Sequence, residues 1–142
     1  MIKEGKAYLI GDGNNYLPLV HVSDAVQAFL LALTKTASDK RIYNISDGED
    51  HTQKQLFHLT AELLKVPKPS KQVSNIIMNL MAKTKNIDSD ELRFLTGSRL
   101  IEIARARKEL GFKPKIEMRK GAEEVINAFN ERQRYSEMRS IL

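Results

Sequence analysis

The sequence predicts an α/β chain of the helix-rich, α+β-like kind, with a few short strands. Three observations predict it. Apolar residues recur at helical spacing around 22–33, 56–64, 73–81 and 122–129. The strand-like runs, at 7–10, 17–22 and 41–45, are short. Helix then follows helix through the second half, without the succession of βαβ units that would complete a parallel sheet.

The elements follow in order. Ala7-Tyr8-Leu9-Ile10 reads as a strand, and Gly11-Asp12-Gly13-Asn14-Asn15 as a hairpin turn rich in residues that accept positive φ. Leu17 to Val22 reads as a second strand, with Pro18 suited to a strand start or an edge. Ser23 or Asp24 is expected to cap the helix that carries Val22, Ala25, Val26, Phe29, Leu30 and Leu33 and ends near Thr34. Arg41 to Ile45 reads as a third strand, and Asp47-Gly48-Glu49-Asp50 turns the chain. Thr52 caps a helix with Leu56, Leu59, Thr60 and Leu63 along one side, which Pro67 and Pro69 end. Val73, Ile76, Ile77, Leu80 and Met81 then fall on one face of an amphipathic helix.

Ser89 is expected to cap a short helix through Leu95, closed by Gly97, and Ser98 to Ile101 reads as a brief extended piece. Glu102 to Leu110 reads as a helix stopped by Gly111, with Pro114 beyond its end. Arg119 to about Arg132 forms the last helix, with Ala122, Val125, Ile126 and Phe129 inward. Residues 1–132 form one region and 133–142 are expected to be a flexible tail.

Composition narrows the function classes. The 142 residues suit one domain or a large part of one, and 42% apolar with 29% charged residues is ordinary for a globular chain. No apolar run approaches the ~18–20 residues that span a membrane. The N-terminus lacks the apolar stretch of a secretory signal, so the cytoplasm is the expected location. The absence of cysteine removes disulfides, thiolate catalysis and Cys-based metal centres. Net charge is +5, with eleven Lys or Arg against seven Asp or Glu in 99–142. That basic third reads as a solvated helical surface of mixed sign, and a nucleic-acid or anion binder is the weakest reading.

A dinucleotide site needs a glycine-rich turn between a strand and a helix. The Gly11-Asp12-Gly13 turn is followed by Asn14-Asn15-Tyr16-Leu17-Pro18, which opens no helix, so it is not a phosphate loop. A Tyr-x-x-x-Lys pair, whose lysine would lower a catalytic phenol's pKa, is also missing: the residues four beyond Tyr8, Tyr16, Tyr43 and Tyr135 are Asp12, Val20, Asp47 and Arg139. His21, His51 and His58 have no metal-binding spacing. His21 reads as a packed structural histidine or as a residue bordering a ligand pocket, and His58 as helix surface. Arg99 precedes an element boundary, where its side chain could reach an anion.

Four segments resemble the C-terminal part of the extended short-chain dehydrogenase/reductases, the NAD-dependent epimerase/dehydratase superfamily. Ile10 to Asn15 with Leu19-Val20-His21-Val22-Ser23-Asp24-Ala25 is similar to the family's glycine turn and "V-H-V-x-D" strand. Ile42-Tyr43-Asn44-Ile45 with Gly48 and Thr52 is similar to its "Y-N-I/L-G" strand and capped helix. Glu102 to Pro114 resembles the "D-x-S-K-A-R-x-E-L-G-F/W-x-P" block, and Gly121 to Phe129 the terminal helix. The nucleotide-sugar members carry Arg where this chain has Leu17, an apolar residue that cannot pair with a phosphate. The Leu-Pro-Leu-Val-His-Val form looks closer to sterol-dehydrogenase-like or uncharacterised reductase branches.

The resemblance implies the substrate-binding portion of an epimerase, dehydratase or hydroxysteroid-dehydrogenase-like enzyme, without the N-terminal Rossmann domain. It implies NAD(P) for the parent and no cofactor or catalytic residue in this chain, which by itself would be inactive. Gly11, Asn14, His21 and Arg99 are the candidates to line a small-molecule substrate pocket. The helix from Asp24 and the strand near Ile42 are implied to face the cofactor domain, so either that domain or self-association is expected to cover them. A non-catalytic binding or assembly module is the alternative.

Overall fold

The computed structural model describes residues 2, 4, 7–35, 40–74, 76–78, 80 and 88–139. The glycine-rich segment turns as its composition predicts, with Gly13 N–H donating to Ile10 O at 3.0 Å, yet it closes no hairpin. Strand β1 (Leu9–Ile10) pairs in parallel with β4 (Gln72–Val73), and β2 (Tyr16–Leu17) pairs antiparallel with β3 (His51–Thr52). The turn therefore passes the chain from one two-stranded sheet to another. Both N-terminal strands are shorter than their apolar runs, and Pro18, which has no N–H to donate, follows the last paired residue of β2. Ser98-Arg99 runs along the other side of β2: Arg99 N–H donates to Tyr16 O at 3.0 Å, and Ser98 Oγ accepts from Tyr16 N–H at 3.0 Å.

Helix α1 (Val22–Thr34) is capped by His21, not by Ser23 or Asp24. The imidazole Nδ1 accepts from Ser23 N–H at 3.2 Å. The Asp24 carboxylate is engaged elsewhere, by the backbone N–H groups of Lys115 and Ile116. Residues 41–45 form no strand, contrary to their β-like composition. They pair with no described strand, and the Tyr43 hydroxyl donates to Glu109 Oε2 at 2.8 Å.

Thr52 opens α2 (Gln53–Leu63) as expected, in a full capping box: Thr52 Oγ1 accepts from Gln55 N–H and Gln55 Oε1 from Thr52 N–H. Residues 76–78 and 80 are helical, while Met81 of the expected amphipathic stripe lies outside the described residues. Helix α3 (Ser89–Thr96) begins one residue after Asp88, which takes the cap position assigned to Ser89.

The block expected to be helical from Glu102 starts at Ala104 and winds as a π-helical turn over Ala106–Leu110. Gly111 ends it at φ +73°, a conformation that costs a residue with a Cβ about 1–2 kcal/mol. Helix α4 spans Met118–Arg139, longer than the Arg119–Arg132 expected. No Gly or Pro follows Gly121, and Glu, Gln, Arg and Met are good helix formers. The expected loose tail is thus helical through Arg139, and 140–142 lie outside the described residues. Val125 and Phe129, assigned inward, are exposed, whereas Ala122 and Ile126 are half-buried.

The core gathers Ala28 of α1 with Ile103, Ala106, Leu110 and Phe112, and Leu31, Ala32, Tyr43 and Ile45 pack around it. The π-helical turn against α1 makes one layer, and α2 against α4 makes the other.

Candidate functional site

The Gly11–Asn14 turn is a closed structure. Gly11 N–H donates to Val73 O at 2.9 Å and Lys54 N–H to Gly13 O at 2.9 Å. The Asp12 carboxylate accepts from Asn14 N–H at 3.0 Å and from Asn14 Nδ2 at 2.7 Å. The bond from the Asn14 backbone, the larger cause, holds the Asp12 carboxyl below the usual carboxylate value. A Cβ placed on Gly13 would lie 3.0 Å from Lys54 Cβ and 3.2 Å from Leu9 Cδ2. Gly13 therefore allows close packing of the chain on itself, and β2 rather than a helix N-terminus follows. The turn does not fit a dinucleotide pyrophosphate, which needs open backbone N–H groups and a helix dipole.

His21 joins two elements. Because Nδ1 accepts from Ser23 N–H, the ring proton sits on Nε2, which meets Glu124 of α4 at 3.0 Å. Beside it lies an apolar cavity of about 350 Å³ between the approach to α1, α2 and α4. Leu19, Val20, Leu56, Ala122 and Ile126 wall it, with His21, Thr60, Asp47 and Glu117 as polar members. Asp47 and His51 form a nearly buried pair at 2.7 Å at the same end of the molecule.

Asn14 borders a different, more open cavity of about 530 Å³, with Lys54, His58, Glu62 and Arg119. His58, expected on the helix surface, is partly buried, its Nε2 lying 3.3 Å from Pro69 O. Arg99 stacks its guanidinium 3.9 Å over the Phe94 ring. Its Nε and the carboxamide atoms of Asn15 are buried without a hydrogen-bond partner among the described residues.

The four candidates thus do not converge. Gly11 and Asn14 share the turn, His21 borders the apolar cavity, and Arg99 lies beside β2. No hydrogen bond or ion pair joins any two of these regions' candidates among the described residues. No described group of His, Asp or Glu is arranged to hold a metal ion. Sequence reasoning missed Asp47–His51, whose i, i+4 spacing was a usable signal. It also missed Gln53, a buried side chain whose Oε1 accepts from Ile10 N–H at 2.8 Å and ties α2 to β1.

The family model for GDP-mannose 4,6 dehydratase matches residues 1–125 of the chain. The chain belongs to this family. Its fold agrees with solved NAD(P)-dependent epimerases and dehydratases of the extended short-chain dehydrogenase/reductase superfamily, as the four sequence segments predicted. The UDP-glucose 4-epimerase of Thermotoga maritima, solved with UDP-glucose, superposes with a TM-score of 0.68 at 24% identity, covering 93% of this chain and 37% of the epimerase. An epimerase of Methanothermobacter thermautotrophicus reaches a TM-score of 0.73 at 18% identity, covering 94% and 36%. A human epimerase family protein solved with NADPH reaches 0.65 at 16%, covering 87% and 39%. The chain therefore spans somewhat more than a third of these structures. No curated protein matches it. Among the described residues, no helix is long and apolar enough to cross a membrane.

Proposed function

We propose that the chain is the substrate-binding portion of an NAD(P)-dependent epimerase/dehydratase or hydroxysteroid-dehydrogenase-like oxidoreductase, and that the cofactor loop and catalytic Tyr/Lys pair belong to a separate portion. One observation carries this reading. The chain matches its family over residues 1–125, yet its Gly-x-Gly turn packs on Lys54 and Leu9 and leads into a strand.

The cavity beside His21 is the substrate chamber in this reading. Its volume of about 350 Å³ lies within the ~300–1,000 Å³ of ligand pockets, and its walls are mostly aliphatic with a few polar groups. Such a lining, which also holds the carboxylates of Asp47 and Glu117, favours a carbinol on an apolar body, its hydroxyl donating to Thr60 Oγ1, over a charged nucleotide sugar. Leu17, where nucleotide-sugar members carry Arg, supports the same choice. Gly11, Asn14 and Arg99 shape the turn and the edge of β2, and they are secondary to His21 here.

Calorimetric titration of the purified chain tests both halves. NADH and NADPH are expected to show no binding, and micromolar affinity for either would overturn the absence of a cofactor site. A 3β-hydroxysteroid probe is expected to bind, and Ala122→Trp, which fills the cavity, to abolish the binding. Binding of UDP-glucose in its place would reject the apolar chamber.

A further inference from the structure

On the reading that the apolar cavity beside His21 is the substrate chamber, we infer that the chamber selects a protonated amine on an apolar body over the matching alcohol, and the alcohol over the matching ketone. The side chains of its lining have no hydrogen-bond donor to spare. The Thr60 hydroxyl donates to Leu56 O at 2.8 Å, one turn back in α2, so Oγ1 has only lone pairs to offer. The His21 ring proton sits on Nε2 and is spent on Glu124 at 3.0 Å, because Nδ1 accepts from Ser23 N–H. The other two polar side chains, Asp47 and Glu117, are carboxylates. Among the described residues, no Lys, Arg, Asn or Gln lines the cavity. A ketone entering it brings an acceptor to acceptors. A carbonyl oxygen buried without a donor loses about ten-fold in affinity or more.

Charge separates the amine from the alcohol. Asp47 is committed, Oδ2 to His51 Nε2 at 2.7 Å and Oδ1 to Glu49 N–H at 3.1 Å. Glu117 has no hydrogen-bond or ion-pair partner among the described residues, so its charge is left over for a ligand. Glu124, on the far side of the His21 ring proton, adds to the negative field. Lys115 and Arg119 line the adjoining cavity instead, and Arg119 is paired with Glu62 at 2.8 Å. The chain as a whole carries +5, so the acidic lining is a local feature. An ammonium group has three donors and no acceptor, the complement of Thr60 Oγ1 and the Glu117 carboxylate. Aliphatic walls strengthen the attraction, because their effective dielectric is lower than that of water. The same charges repel a phosphate.

Calorimetry with three steroids of one skeleton, carrying a 3β-amino, a 3β-hydroxy or a 3-oxo group, is the test. At neutral pH the amine is expected to bind roughly five-fold tighter than the alcohol, with the ketone weakest. Added salt is expected to narrow the gap between amine and alcohol. Glu117→Gln is expected to lower the affinity for the amine several-fold more than that for the alcohol. Amine and alcohol are expected to compete on the wild-type chain, and Ala122→Trp to abolish the binding of both. An amine no tighter than the alcohol, a gap that Glu117→Gln leaves intact, or a ketone as tight as the alcohol overturns the inference while alcohol binding keeps the chamber. An amine that does not compete with the alcohol binds elsewhere and overturns it as well, a readout that needs no variant to fold. Failure of all three steroids to bind removes the chamber itself and the inference with it.

Discussion

Asp24 in the first turn of α1 and Lys115 just before α4 are joined across 91 positions of sequence: both carboxylate oxygens lie 3.0 Å from Lys115 N–H. Asp24 Oδ2 also accepts from Ile116 N–H at 3.0 Å, and the side chain is only 2% exposed. Asp24→Ala should leave two backbone donors unpaired and cost about 1–3 kcal/mol. Asp24→Asn retains one oxygen and should cost less. Urea denaturation midpoints of the three proteins check the order.

Phe112 is fully buried and follows the left-handed Gly111, which aims it into the cluster of Ala28, Ile103, Ala106 and Leu110. Phe112→Ala should destabilise by about 3–5 kcal/mol through lost burial and the cavity left behind. Phe112→Leu should cost clearly less. Thermal unfolding with a chemical-denaturant cross-check reads both.

Glu62 of α2 and Arg119 of α4 meet at 2.8 Å on the surface. The hydrogen bond from Arg119, followed by its charge, holds the Glu62 carboxyl below the ordinary glutamate value. A depressed folded-state pKa means that the unfolded chain binds more protons in this range. The stabilisation is present above the ordinary glutamate pKa and is lost as pH falls through the lowered one. Glu62→Gln should therefore be slightly less stable than the wild type at neutral pH and match it at low pH, which flattens the acid limb of a stability–pH curve. An unchanged acid limb would show the pair to be energetically silent, as many exposed pairs are.

His21 serves α1 through Nδ1 and α4 through Nε2. His21→Asn can keep an acceptor for Ser23 N–H while losing Glu124, whereas His21→Ala loses both. The Ala variant should be the less stable by about 0.5–2 kcal/mol, the range of an N-cap replacement. Glu124→Gln should fall near wild type. Amide exchange at Ser23 separates the cap from the α4 contact.

Much of the local structure was legible because its causes are local. The period of 22–33 gave α1, Thr52 gave the cap of α2, and Gly111 gave a left-handed stop. The strands were legible as extended, apolar segments but not as pairs. Pairing depends on which segments meet, and Ile10 meets Val73 across 63 positions while Tyr43 pairs with no described strand. The "V-H-V-x-D" pattern marked Asp24 without revealing its partner, so a helix cap was expected where an inter-element clasp is found.

For the candidate site, sequence by itself determined the family resemblance and the absence of a Gly-rich loop opening a helix and of Tyr-x-x-x-Lys, since these depend only on residue type and spacing. Tertiary structure alone decided that Gly13 packs against Lys54, that His21 joins α1 to α4 beside an apolar cavity, and that Gly11, Asn14, His21 and Arg99 do not form one cluster. It also decided which side of α1 faces out. A helical stripe has the same period whichever way it is turned, and only the packing of Ala28 and Asp24 on the 103–116 segment fixes the rotation that leaves Val22, Val26, Phe29 and Leu33 uncovered.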